Sequence, residues 1–160
     1  MSVINVRTKE QTDCEWVVDL LNTHWGAVRI VSRGRVHEAD TLPGFVAELR
    51  GRRVGLLTYH IDGDDCEIVS LNSLVEGQRI GTTLMEAVSD EAKRAGCRRL
   101  WLITTNDNLP ALRFYQKRNF RLVAVHTDAA TEARKLKPEI PHEGVYGIPI
   151  RDEIELEMIL

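Results

Sequence analysis

Residues 66–84, CEIVSLNSLVEGQRIGTTL, join residue types that suit phosphate binding. A β-rich run leads into a glycine-bearing loop, and a helical pattern begins directly after it. Such a junction aims unpaired backbone N–H groups and the positive end of a helix at one point. An anion can bind there without a side-chain charge. Gly77 and Gly81 permit close backbone approach, Gln78 and Arg79 occupy the junction, and Thr82 and Thr83 add hydroxyls. No Lys follows as GxxxxGK[ST] requires, and GxGxxG is absent. On spacing alone an ordinary strand-to-helix turn accounts for the loop equally well. Tyr115, in RFYQKRNF, is a second group of interest. A phenol with an ordinary pKa near 10 is protonated at neutral pH and can donate, although periodicity alone favours a core aromatic on an amphipathic helix.

Positioning these groups requires strands that enter the loop and helices that leave it. Residues 3–7 read as a strand. Thr12 and Asp13 open a helix with Trp16, Val17, Leu20 and Leu21 at helical spacing, and Gly26 closes it. Residues 28–36, broken by Gly34, and then 45–49, 54–60 and 66–74 read as an antiparallel meander, with turns at 50–53 and 62–65. Ile80, Leu84, Ala87 and Val88 follow a 3.6 period that ends at Gly96. Residues 99–105 form a strand, 106–109 a loop, and a helix from Pro110 ends near Asn119. A strand at 122–125 and a short helix within 128–137 follow. In the last segment Ile148, Ile150, Ile154, Leu156, Met158 and Leu160 share one parity, while Arg151, Glu153, Glu155 and Glu157 share the other. This predicts a half-buried strand with a structural role. The order is that of an α+β, or mixed α/β, fold on a largely antiparallel sheet.

The chain has 160 residues, 21 Lys plus Arg and 24 Asp plus Glu. That length suits a single domain over 1–160, and the net charge of −3 argues against a nucleic-acid partner. No apolar run is long enough for a membrane span, and the first residues lack a secretory pattern. Cys14, Cys66 and Cys97 are odd in number and widely spaced, which fits a reduced, cytoplasmic protein rather than a disulfide framework. The five scattered histidines give no metal-ligand spacing, so no metal is expected.

Residues 66–84 together with LWLITTNDNLPALRFYQKRNFRLVAV, residues 100–125, resemble the core of the GNAT superfamily of acetyl-CoA-dependent N-acetyltransferases. Most of the chain follows that element order. The resemblance implies a twisted sheet of about six to seven strands flanked by helices. It also implies acetyl-CoA as cosubstrate and a primary amine as acceptor. Its cofactor loop reads Arg or Gln, two residues, Gly, one residue, then Gly or Ala. Here the positions are Glu76, Arg79 and Gly81, so two of the three depart from the pattern.

The resemblance implies that the strands at 66–75 and 99–105 part, and that the pantetheine arm pairs with the backbone of Leu71 and Ser73. Gly77, Gln78, Arg79, Gly81 and Thr82 would hold the phosphates, with Asn106 and Asn108 bordering the cofactor. Tyr115 stands where the family places the proton donor to the CoA thiolate. Glu67 is the first candidate for the base, on a face taken to include Val69 and Leu71, and His37, Glu38, His60 or a water relay are alternatives. Trp25, His37, Glu38 and Asp40, and residues 142–147, would shape the acceptor site. The last strand could serve the core or pair across a homodimer. A non-catalytic acyl-CoA-binding or protein-interaction module of the same fold is the alternative function. A different phosphate-ligand enzyme is a third reading.

Overall fold

The computed structural model describes residues 3–160. Its main sheet has seven strands in the order β1-β4-β5-β6-β7-β9-β8. These are β1 Ile4–Thr8, β4 Gly44–Leu49, β5 Arg52–Asp62, β6 Asp65–Ser73, β7 Arg99–Thr105, β8 Arg121–His126 and β9 Glu153–Ile159. Helices α1 Cys14–Trp25, α2 Ile80–Arg94, α3 Leu109–Gln116 and α4 Ala129–Ala133 lie between them. All neighbouring pairs are antiparallel except β6 with β7.

Helices α2 and α3 form for legible reasons. In α2 the residues Ile80, Leu84, Met85, Val88 and Ala92 are buried against the sheet, and Lys93 and Arg94 favour its negative end. Burying each large aliphatic side chain contributes about 1.5–3 kcal/mol. The helix ends in a Schellman motif, where Cys97 N–H reaches Ala92 O at 2.9 Å and Gly96 N–H reaches Lys93 O at 3.0 Å. In the same way α3 closes at Asn119, which takes a φ of 72° as expected.

Three expectations are corrected. The segment after α1 does not join the meander: β2 Arg29–Ser32 and β3 Arg35–Glu38 form a separate two-stranded hairpin. Its turn residues Arg33 and Gly34 both have positive φ, 49° and 76°, which matches the twist of a tight hairpin. The apolar parity of the C-terminal segment does not mark one long strand. Ile148 and Ile150 precede β9, and its Glu153 and Glu155 are buried. The reason is that β9 lies between β7 and β8, and its polar face is met by Arg33, Arg99 and His126. Both edges of β9 are thereby paired within the chain. Finally, Thr12 and Asp13 do not cap α1 through their side chains. The fully buried Asp13 carboxylate instead accepts from Arg7, Arg53 and the Glu10 N–H.

Candidate active site

The parallel pairing of β6 with β7 runs only from Asp65/Arg99 to Ile68/Leu102. Beyond it the strands diverge, each keeping only its outer partner. A bulge sets the divergence. Ser70 pairs with Thr58 and Ile68 with Tyr59, which leaves Val69 unopposed. The bulge also alters side-chain parity. Val69 packs with α1 and the hairpin, on the side where Glu67 meets His37, whereas Leu71 packs with the α2–α3 core. The expected shared face of Glu67, Val69 and Leu71 therefore does not exist.

The backbone beyond the bulge has a defined polarity. Leu74 N–H donates to Val54 O at 2.8 Å, which makes Leu74/Val54 a hydrogen-bonded pair. By antiparallel alternation Asn72/Leu56 and Ser70/Thr58 are hydrogen-bonded pairs too. The N–H and C=O groups of Leu71 and Ser73 thus face away from β5, toward the gap.

A cavity of about 320 Å³ fills this gap, walled by residues 68–72 of β6, Leu102 to Thr104 of β7, His24, Trp25, Asn108, Ala111 and Tyr115. Tyr115 is 9% exposed and is held by edge contacts with Phe114 and Phe120. Burial holds its phenol well above the ordinary range, so it stays protonated. The Asn108 side chain caps α3 by accepting from Ala111 N–H at 3.3 Å. Trp25 donates its indole N–H to Asn72 Oδ1 at 2.7 Å and so fixes one wall.

At one end lies a hollow of about 640 Å³, bordered by Ser73, Glu76, Gly77, Arg79, Gly81, Thr82, Lys117 and Arg118. This is the start of α2. Gly77 and Arg79 have φ of 76° and 57°, and Arg79 occupies the N-cap. A left-handed Arg costs roughly 1–2 kcal/mol relative to glycine, the family's usual residue there. A Cβ on Gly81 would lie 2.9 Å from the Phe114 ring, so α3 packs directly on this turn. Gln78 does not border the hollow. Arg118 does, and it was not singled out in the sequence. Its Nε donates to Thr82 Oγ1 at 2.9 Å, and its guanidinium stacks 3.6 Å over Phe114. The Lys117–Arg118 pair was visible after the helix, but nothing local shows that it faces α2.

A second cavity of about 310 Å³ continues from the gap and shares Trp25, Ile68, Val69, Ile103 and Asn108 with it. Glu67 borders it and is buried, with Oε1 3.1 Å from His37 Nε2. His60 lies beside His37, and burial, helped by Arg35 and His37, lowers its pKa. Glu153 borders the same cavity. Its carboxyl is held above the usual range by burial and by Glu67, against the Arg33 N–H that it accepts at 2.9 Å. Lys137 and Ser32 also line the cavity. The strand pattern had placed Glu153 on a solvent face and gave no sign of it.

Other expected residues sit elsewhere. The Asn106 amide is consumed by Pro149 O and by the N–H groups of Arg151 and Asp152. It staples the loop after β7 to the C-terminal segment. Glu38 is exposed, and neither it nor Asp40 borders a cavity of the site. Of residues 142–147 none borders them, although Ile140 and Pro141 do. The Cys66 thiol, next to Glu67, is pushed up to about 12, chiefly by burial, and is no nucleophile at neutral pH. Among the described residues no group of His, Cys, Asp or Glu is placed to hold a metal ion, and no helix is long and apolar enough to cross a membrane.

Residues 10–120 match the sequence profile described as Acetyltransferase (GNAT) family. The chain is 45% identical over 145 residues to YdhI of Bacillus subtilis (strain 168), covering 90% of this chain and 91% of that protein. In fold it is similar to the IAA acetyltransferase from Bacillus cereus ATCC 14579, with a TM-score of 0.73 at 19% identity over 99% of this chain and 100% of that one. It is also similar to a GNAT family acetyltransferase from Elizabethkingia anophelis with acetyl-CoA bound, with a TM-score of 0.70 at 19% identity over 98% of each chain.

Proposed function

The chain belongs to the GNAT acetyltransferase family, and on that premise we propose that it is a single-domain, cytoplasmic N-acetyltransferase that moves acetyl from acetyl-CoA to a primary amine. The observation that carries this reading is the gap between β6 and β7, with Tyr115 in its wall and the start of α2 at one end. The inward backbone of Leu71 and Ser73 suits an extended amide-bearing arm. The N–H groups at the start of α2, with Arg79, Lys117 and Arg118, suit phosphates that the overall charge of −3 would repel.

Acetyl-CoA supplies an activated thioester, which amine attack turns into an amide and a free thiol. Glu67 takes the proton that the ammonium loses before the amine attacks, and His37 keeps the carboxylate oriented. Tyr115 gives its proton to the sulfur as the C–S bond breaks, and the second proton shed by the nitrogen restores the phenol. Removing water from the gap strengthens both transfers.

The test has two parts. Acetyl-CoA should raise the unfolding midpoint, because a ligand that binds only the native state stabilises it. Free thiol should then appear with a suitable amine. No shift at millimolar acetyl-CoA rejects the reading. A shift without thiol release across a broad amine panel would favour the non-catalytic module, to which Glu76 and the strained Arg79 lend some support.

A further inference from the structure

Resting on the acetyltransferase reading, we propose that the acceptor is a small amino acid, and that Lys137 binds its carboxylate while Glu67 and Glu153 face its amine. The cavity that continues from the gap is lined by groups of both charges, Lys137 on one hand and Glu67 and Glu153 on the other. Lys137, on the turn after α4, is 4% exposed. No hydrogen bond or ion pair among the described residues engages its ammonium. Glu139 acts on it electrostatically but makes no contact short enough for an ion pair, and a buried ammonium so weakly paired favours an added anion. Ser32 lines the same cavity, and its buried hydroxyl also lacks a partner. A buried hydroxyl without a partner and an ammonium without a hydrogen bond thus line one chamber.

Glu67 and Glu153 line the same cavity and act on one another electrostatically. Glu153 feels Glu67, Arg33 and His126, whereas Lys137 feels Glu139 and Arg29. Glu139 also borders the chamber, but its side chain is 39% exposed and lies 3.8 Å from Arg29 at the rim. Burial lowers the proton affinity of Lys137, and an incoming carboxylate would restore it. Apolar groups, among them Trp25, Ile103, Ala133 and Ile150, make up much of the remaining wall. At about 310 Å³ the chamber is near the small end of ligand sites, roughly 300–1,000 Å³. A small molecule with a cation, an anion and little other polarity matches it.

The experiment compares apolar amino acids with their amides and with the corresponding decarboxylated amines, reading thiol release. The amino acids should show at least tenfold higher kcat/KM. Lys137→Met should raise KM for the amino acid at least tenfold more than for the amine, and Lys137→Arg should restore most of the preference. Equal rates for amino acid and amine, or an equal loss with both in Lys137→Met, would overturn the proposal. If no acceptor releases thiol, calorimetric titration of the amino acids into the CoA-saturated protein decides separately. Binding that Lys137→Met weakens supports the chamber while the catalytic reading fails, and no binding overturns the chamber as well.

Discussion

Tyr115 walls the gap from the α2–α3 side of the sheet, whereas Glu67 borders the adjoining cavity from the hairpin side. The two proton transfers are therefore separated by the plane in which the thioester would lie. Removing one should leave the other in place. Tyr115→Phe is expected to lower kcat by about 10²-fold or more, the scale of general acid catalysis, with little change in acetyl-CoA affinity. A rate unchanged across pH would show that the phenol only packs. Glu67→Gln is expected to lower kcat by a similar factor of about 10², while His37→Phe, which removes only an orienting bond, should cost less. These are steady-state measurements of thiol release on variants checked for native melting. Of these residues, Tyr115 was legible as a donor only through the family resemblance of residues 100–125, since periodicity alone reads it as a core aromatic. Lys137 and Glu153 were not, because the chain order β7-β9-β8 brings them in from far along the sequence.

At the scale of elements, the turn into α2 carries most of the cofactor reading. Arg79 holds a left-handed conformation that glycine adopts freely, and it borders the hollow proposed for the phosphates. Arg79→Gly should thus divide the two effects. Stability in urea should rise by about 1 kcal/mol, and acetyl-CoA affinity should fall. A variant that gains stability and binds acetyl-CoA equally well would assign the phosphate role to Lys117, Arg118 and the backbone. The helix itself was readable from Ile80, Leu84 and Val88 and from the stop at Gly96. The bulge at Val69 was not, since it is a register shift between β5 and β6 with no marker in CEIVSLN. That shift moves Leu71 off the face of Glu67, which is why simple alternation misplaced it. Alternation likewise misread β9, because Glu153 and Glu155 are buried by partners from β2–β3, β7 and β8 that a local pattern does not contain.

At the scale of the whole molecule, Asp13 ties the N-terminal part of the sheet to α1. Its buried carboxylate accepts from Arg7 of β1 at 2.7 Å and from Arg53 of β5 at 2.8 Å, and Arg7 continues to Glu48 of β4 at 3.0 Å. Three strands and a helix start thus meet at one charge. The Arg7 hydrogen bond, chiefly, holds the Asp13 carboxyl well below the usual carboxylate range, against the opposing effect of burial. A carboxylate with a depressed folded pKa stabilises the fold fully above its unfolded pKa, near 3.9. That stabilisation is lost as pH falls from there toward the folded value. The wild type should therefore lose stability as it is taken from about pH 5 to pH 3. Asp13→Asn should be less stable at pH 7 by about 2 kcal/mol, the scale of hydrogen bonds to a charged group, because Arg7 and Arg53 are only half-buried and Arg7 keeps Glu48. It should also lose much less between pH 5 and pH 3 than the wild type does. Urea unfolding at the two pH values measures both quantities. Parallel losses in the two proteins would place the acid-sensitive charge elsewhere, with the Arg99–Glu155 cluster on β7 and β9 as the next group to vary.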